Sequence, residues 1–136
     1  MSDPTPPSAG VLQAITAVAR DYVEGWFDGD EERMRRCLHP ELVKRTIRHD
    51  PATGDWRLGS PSTAEMMAGW TRDGEGRTDV AGERAFEITV EVVFRRIASV
   101  RVLSSPYMDL LHVARIGDRW WIVNVLWEPR DDEMEP

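Results

Sequence analysis

Cysteine, lysine and asparagine each occur once in this 136-residue chain, as Cys37, Lys44 and Asn124. A lone cysteine excludes an internal disulfide and a thiolate metal cluster. Cys37 also falls on an apolar stripe, with only Arg35 and Arg36 near it, so it does not read as an activated nucleophile. The three histidines, His39, His49 and His112, lack the close spacing of a metal site. Glycine-rich phosphate loops and serine-nucleophile signatures are missing as well. The expectation is a protein without metal or cofactor. No apolar run reaches the ~20 residues of a membrane span, and no charged-then-apolar leader opens the chain. A cytoplasmic protein without membrane contact is therefore expected. The net charge is −7 and acidic residues crowd positions 128–135, whereas nucleic acid binding needs a concentrated basic surface. The single lysine among 17 basic residues reads as genomic base composition more than mechanism.

What is present is the material of one soluble globular domain: 41% hydrophobic and 30% charged residues, in a chain long enough for a real core. Residues 1–9, rich in proline and small side chains, read as a mobile arm, and 129–136 as an acidic tail. Between them, from position 11, Val11, Leu12, Ile15, Val18, Ala19, Tyr22, Val23, Trp26 and Phe27 recur at steps of three and four. That spacing draws one wide apolar stripe on a helix. Gly29 ends it, and Asp30 caps a second helix that turns Met34, Cys37 and Leu38 inward and stops at Pro40. Residues 42–49 form a mixed strand, 50–54 a turn, and 56–58 a short return strand. Residues 60–63 cap a third helix bearing Met66, Met67 and Trp70, and the polar, glycine-rich 73–82 is a loop.

Two hairpins follow. Phe86, Ile88, Val90, Val92 and Phe94 alternate with Glu87, Thr89, Glu91 and Arg95, and Ala98, Val100 and Val102 answer them. A three-residue loop at 95–97 sets Val90 against Val102, Val92 against Val100 and Glu91 against Arg101. The last hairpin, 107–127, is apolar on both faces, so both must be covered. A three-residue loop at 117–119 matches its faces. Ile116 then opposes Trp120, Ala114 opposes Ile122, His112 opposes Asn124 and Leu110 opposes Leu126. The other face pairs Val113 with Val123, Leu111 with Val125 and Asp109 with Trp127. Helices followed by antiparallel strands make an α+β domain.

Three stretches of this chain resemble the nuclear transport factor 2-like superfamily, and more narrowly the small bacterial proteins labelled putative lumazine-binding. They are residues 21–45 (Asp-Tyr-Val-Glu-Gly-Trp-Phe-Asp-Gly-Asp through Leu-His-Pro-Glu-Leu-Val-Lys-Arg), 97–102 (Ile-Ala-Ser-Val-Arg-Val) and 109–127. With the element order they cover nearly all of 11–128. The resemblance implies a cone: a curved antiparallel sheet wrapped on the N-terminal helices, a pocket at its open end, and a homodimer through the outer sheet face. Fold alone does not choose among the superfamily's isomerases, dehydratases, cyclases and binding modules.

Candidate site residues follow from polarity in apolar surroundings. His112 and Asn124 oppose each other on the face of Trp120 and Ile122. Either both point into the pocket, His112 as acid or base and Asn124 orienting a carbonyl, or they bond each other. Tyr22 and Trp26, one turn apart, suit a pocket wall or plain core. His39 either faces the ligand or caps a helix end. Arg45, with Lys44 and Arg48, either grips an anionic group or is solvated. Acid–base members of the superfamily use a pocket aspartate, which makes Asp109 a second catalytic candidate. Its face, shared with Leu111 and Val113, is expected to lean towards the dimer side. The leading expectation is a small-molecule-binding protein with a mainly apolar pocket, using Tyr22, Trp26, His39, Arg45, Trp120 and Asn124. A cofactor-free acid–base enzyme using His112 or Asp109 is the alternative, and a structural dimerisation module is the third.

Overall fold

The computed structural model describes residues 6–130. The start of the expected arm (1–5) and the end of the expected acidic tail (131–136) lie outside the described residues. The chain runs α1 (Ala9–Asp28), α2 (Glu31–Cys37), β1 (Leu38–His49), β2 (Trp56–Leu58) and α3 (Ala64–Arg72). A 3-10 turn (Ala81–Arg84) then leads to β3 (Phe86–Phe94), β4 (Ile97–Ser104), β5 (Tyr107–Ile116) and β6 (Arg119–Pro129). This is the expected α+β order.

Helix α1 starts two residues early because Ser8 Oγ accepts the Val11 N–H at 3.1 Å, an N-cap that draws the end of the arm into the fold. Gly29, at φ 65°, closes it in the left-handed conformation that a side chain disfavours. Pro40 does not stop α2. The helix ends at Cys37, and Pro40 lies inside β1 where register slips between Leu38 and Val43, a place where its missing N–H disturbs no regular ladder.

The strands form one curved sheet in the order β2-β1-β6-β5-β4-β3. It is mixed, not wholly antiparallel: β1 runs parallel to β6, and the other four junctions are antiparallel. Both long hairpins turn through two residues, where three were expected. In the first, Phe94 faces Ile97, Val92 faces Ser99, and a bulge at Glu91 sets Val90 against Val100 and Thr89 against Arg101. The expected pairs 90–102, 92–100 and 91–101 do not form. In the last, Ile116 faces Arg119, Arg115 faces Trp120 and Val113 faces Ile122, so the expected pairs 116–120, 114–122 and 113–123 are replaced. The Arg115–Trp120 pairing is tolerable because it lies near the tip, with Arg115 in water and Trp120 buried. A bulge at Val123 then advances β6 by one residue. Beyond it His112 meets Asn124, Leu111 meets Val125, Leu110 meets Leu126 and Asp109 meets Trp127, as expected. Bulges bend a strand and increase its twist, which is how a sheet acquires a concave side.

The concave side is packed by Ala98, Val100 and Val102 from β4, Leu111 and Val113 from β5, and Trp120, Ile122 and Val125 from β6. Against it lie Ile15, Ala19, Tyr22, Val23 and Phe27 of α1, forming the continuous core. The convex side leaves Val92, Phe94, Ile97, Leu110 and Leu126 exposed. The face of Asp109, Leu111 and Val113 is therefore the inner one, and the face of His112 and Asn124 is the outer, the reverse of the expected arrangement. Alternation alone was blind to this, because both faces of the hairpin are apolar.

Candidate functional site

At the end of the core where β5 begins and β6 finishes, side chains from α1, α3 and the sheet stand apart and leave a cavity of about 230 Å³. Its apolar wall includes Trp26 and Phe27 of α1, Met67 and Trp70 of α3, and Tyr107 and Trp127 of the last hairpin. Tyr107 and Trp127 meet edge to face with ring centroids 5.2 Å apart, a favoured aromatic geometry that fixes both rings. The loop after α3 closes one flank. There Gly76 lies so close to the Trp26 indole that a β-carbon would collide with it, so glycine is required by the approach itself.

One wall is polar. Lys44 points inward from β1, sharing an alternation with buried Leu42 and buried Thr46. Its backbone is held on both sides: it pairs with Val125 of β6, and exchanges hydrogen bonds with Ser62 at 3.0 and 2.7 Å. The Lys44 Nζ donates to Tyr22 Oη at 2.6 Å, and Tyr22 Oη donates to Asp109 Oδ1 at 3.0 Å. Nζ also lies 5.1 Å from the Tyr22 ring centre and 5.7 Å from that of Trp127, within reach of cation–π attraction. A lysine, a phenol and a carboxyl group thus form one line, drawn from β1, α1 and β5.

Burial acts on all three in the same sense, towards the uncharged form. Loss of water pushes the Lys44 ammonium below the ordinary lysine value, with the charge of Asp109 opposing. It pushes the Asp109 carboxyl above the ordinary carboxylate value, opposed by Lys44 and by the hydrogen bond from Tyr22. The Tyr22 hydroxyl is raised well above its usual range by burial and then by Asp109. Arg48, Ser62, Glu75 and Ser104 supply the remaining polar lining.

Of the residues expected from the sequence, Tyr22, Trp26 and Asp109 come together here. Lys44 and Arg48, weighed with Arg45 as an anion grip, line it too, whereas His39, Arg45, His112, Trp120 and Asn124 do not. His112 and Asn124 are on the convex face, where Asn124 Nδ2 and His112 Nδ1 are 3.2 Å apart, so the pair bonds to itself. Arg45 is on the same face, paired with Leu126, and its buried Nε has no partner. His39 accepts the Glu41 N–H at Nδ1 and stands edge-on to Trp121, and Trp120 is core at the far end of β6. Sequence reasoning missed Trp127 and Tyr107, and weighed Lys44 only as an anion grip beside Arg45 and Arg48. The signal for Lys44 was available: it is the one lysine in a chain that otherwise uses arginine, and it lies in step with Leu42. Among the described residues no group of His, Cys, Asp or Glu is placed to hold a metal ion, and no helix is long and apolar enough to cross a membrane.

Three helices against the concave side of a curved six-stranded sheet, with a cavity at the open end, define a nuclear transport factor 2-like protein. Within that class the chain belongs to the family described as Putative lumazine-binding, whose pattern it matches over residues 11–128. Solved structures share the fold at low identity. A nuclear transport factor 2-like protein of unknown function from Silicibacter pomeroyi is 18% identical, with 92% of this chain and 100% of that one aligned at a TM-score of 0.70. One from Methylobacillus flagellatus is 16% identical over 96% and 100%, TM-score 0.70. A ketosteroid isomerase-like protein from Erwinia carotovora atroseptica is 15% identical over 91% and 99%, TM-score 0.63. No curated protein matches the chain by sequence.

Proposed function

We propose that this protein binds a small, flat, mainly apolar molecule in the cone, with one polar group of that molecule set against the Lys44–Tyr22–Asp109 line. The observation that carries this reading is the combination of an aromatic cavity with three convergent polar groups, the usual make-up of a ligand site. At about 230 Å³ the space is below the ~300–1,000 Å³ of common ligand clefts, which favours a one- or two-ring compound. We use 2-naphthol as a probe. Calorimetry is expected to show saturable one-to-one binding. Lys44→Met is expected to weaken it up to about tenfold, since an ordinary hydrogen bond contributes ~0.5–1.5 kcal/mol and tenfold is ~1.4 kcal/mol. Absence of saturation, or an unchanged affinity in Lys44→Met, contradicts the proposal.

A cofactor-free acid–base enzyme is the second reading. The Asp109 carboxyl favours it, being pushed up by burial and placed within reach of a bound molecule, whereas His112 faces away from the cavity. The exposed band of Val92, Ile97, Leu110 and Leu126 supports a further part of the proposal, a homodimer through the convex face. Sedimentation is expected to show a dimer that Leu110→Lys converts to monomer. A monomeric parent protein refutes it.

A further inference from the structure

We propose that the cavity captures carbonyl compounds covalently, Lys44 condensing with an aldehyde or ketone to form a Schiff base. This rests on the ligand-pocket reading and extends it to a substrate class.

The argument begins with the environment of one amine. Lys44 is the chain's only lysine, and its Nζ is turned into an aromatic cavity rather than out to water. Among the described residues it makes no ion pair within 4.0 Å, and its hydrogen-bond partner is a phenol. A phenol carries no counter-charge, so nothing in direct contact neutralises the extra proton as a carboxylate would. The proton has a path out: from Nζ to Tyr22 Oη over 2.6 Å, and from Tyr22 to Asp109 over 3.0 Å. Passing it along leaves an uncharged amine, an intact phenol and a carboxylic acid. The shifts caused by burial run the same way, lowering Lys44 and raising Asp109. A desolvated amine of this kind is the activated nucleophile of lysine-based carbonyl chemistry.

The step balances with these groups alone. The Nζ lone pair attacks the carbonyl carbon, the C–N bond forms as the C=O π pair moves to oxygen, and that oxygen takes the proton the nitrogen sheds, giving a carbinolamine. A second proton, supplied through Tyr22 from Asp109, lets that oxygen leave as water while the nitrogen lone pair closes the C=N bond. The sum is ammonium plus carbonyl giving protonated imine plus water. The product cation sits where Tyr22 and Trp127 present their faces and Asp109, again a carboxylate, supplies the counter-charge. The other titratable or charged groups lining the cavity are Arg48 from β1, Glu75 from the loop after α3 and Tyr107 from β5. Aromatic walls favour a conjugated carbonyl compound over an aliphatic one.

The test uses 2-naphthaldehyde with cyanoborohydride, which reduces an imine to a stable secondary amine. Intact mass and peptide mapping then locate the label. The α-amino terminus of the protein tested is a primary amine too and serves as an internal reference. We expect one naphthylmethyl group on Lys44, formed at least tenfold faster than on the α-amino group and at least tenfold faster than on Lys44 in urea-unfolded chain. Tyr22→Phe is expected to slow capture several-fold, and Lys44→Arg to leave only the terminal label. Binding of 2-naphthol, which cannot condense, is measured beside it. If naphthol binds but Lys44 remains unlabelled, or labels no faster folded than unfolded, covalent capture is refuted and the pocket stands. If neither probe engages the cavity, both proposals fall.

Discussion

Replacing Asp109 by Leu destabilises the fold by about 2–3 kcal/mol at neutral pH, Lys44→Met also destabilises it, and the two together restore or exceed the parent's stability. The reason lies in what each leaves behind. Removing one partner of this buried acid–base line costs ~1–5 kcal/mol, the smaller figure for an unsatisfied polar group and the larger for an unpaired charge, because the survivor has neither water nor counterpart. We expect the lower half of that range, since Lys44 keeps some contact with water. Removing both partners deletes the problem, and apolar replacements of similar shape are nearly neutral or stabilising. The single variants also differ in pH dependence. In Asp109→Leu, Lys44 keeps a folded-state pKa below its unfolded one, so between the two values the unfolded chain binds more protons and stability rises with pH. In Lys44→Met, Asp109 has a folded-state pKa above its unfolded one. Stability is then greatest on the acid side and falls as pH rises through that window. Urea denaturation over a pH series reads both slopes. Equal slopes, or a double variant weaker than either single, contradict the description of this wall. A double variant more stable than the parent would support the proposal that the polar line serves a ligand.

Ile122→Ala is expected to cost about 3 kcal/mol, in the ~2–5 kcal/mol range for emptying a buried aliphatic site. For a chain of this length that corresponds to a melting point lower by roughly 10 °C. Ile122 is 0% exposed, paired with Leu38 of β1 on one side and Val113 of β5 on the other. It therefore holds the parallel junction on which the position of Lys44 depends. Val80→Ala, at a residue 56% exposed in the loop before β3, is the control and should change stability by less than ~0.5 kcal/mol. A loss at Ile122 no larger than at Val80 would mean that β6 is not packed as described.

The element order was legible because its signals are local. The stripe from Ile15 to Phe27 has helical spacing, Gly29 and Asp30 punctuate it, and Phe86 to Val92 alternates cleanly. What the pattern concealed has physical causes. Bulges at Glu91 and Val123 add a residue without altering hydrophobicity, so loop length and register trade against each other unseen. The last hairpin is apolar outside as well as inside, Leu110 and Leu126 matching Leu111 and Val125, so alternation identified two faces without naming the concave one. Asp109 was consequently assigned outward, and His112 with Asn124 inward. The parallel contact of β1 with β6 joins segments some 80 residues apart, which no local spacing encodes. Lys44 was grouped with Arg45 and Arg48 for a different reason: a lysine beside an arginine resembles a solvated surface, and its burial arises only when α1 and β5 arrive.

The single lysine also supplies the most direct measurement. Protein grown with lysine labelled at the ε-carbon gives one NMR signal from the folded chain, and its pH titration reports the state of that amine without interference. A lysine in the cavity is predicted to titrate below the free amino acid and to move when 2-naphthol is added. A signal titrating at the ordinary value and indifferent to naphthol would show the amine to be in open water, and the account of the cone as a ligand site would be wrong.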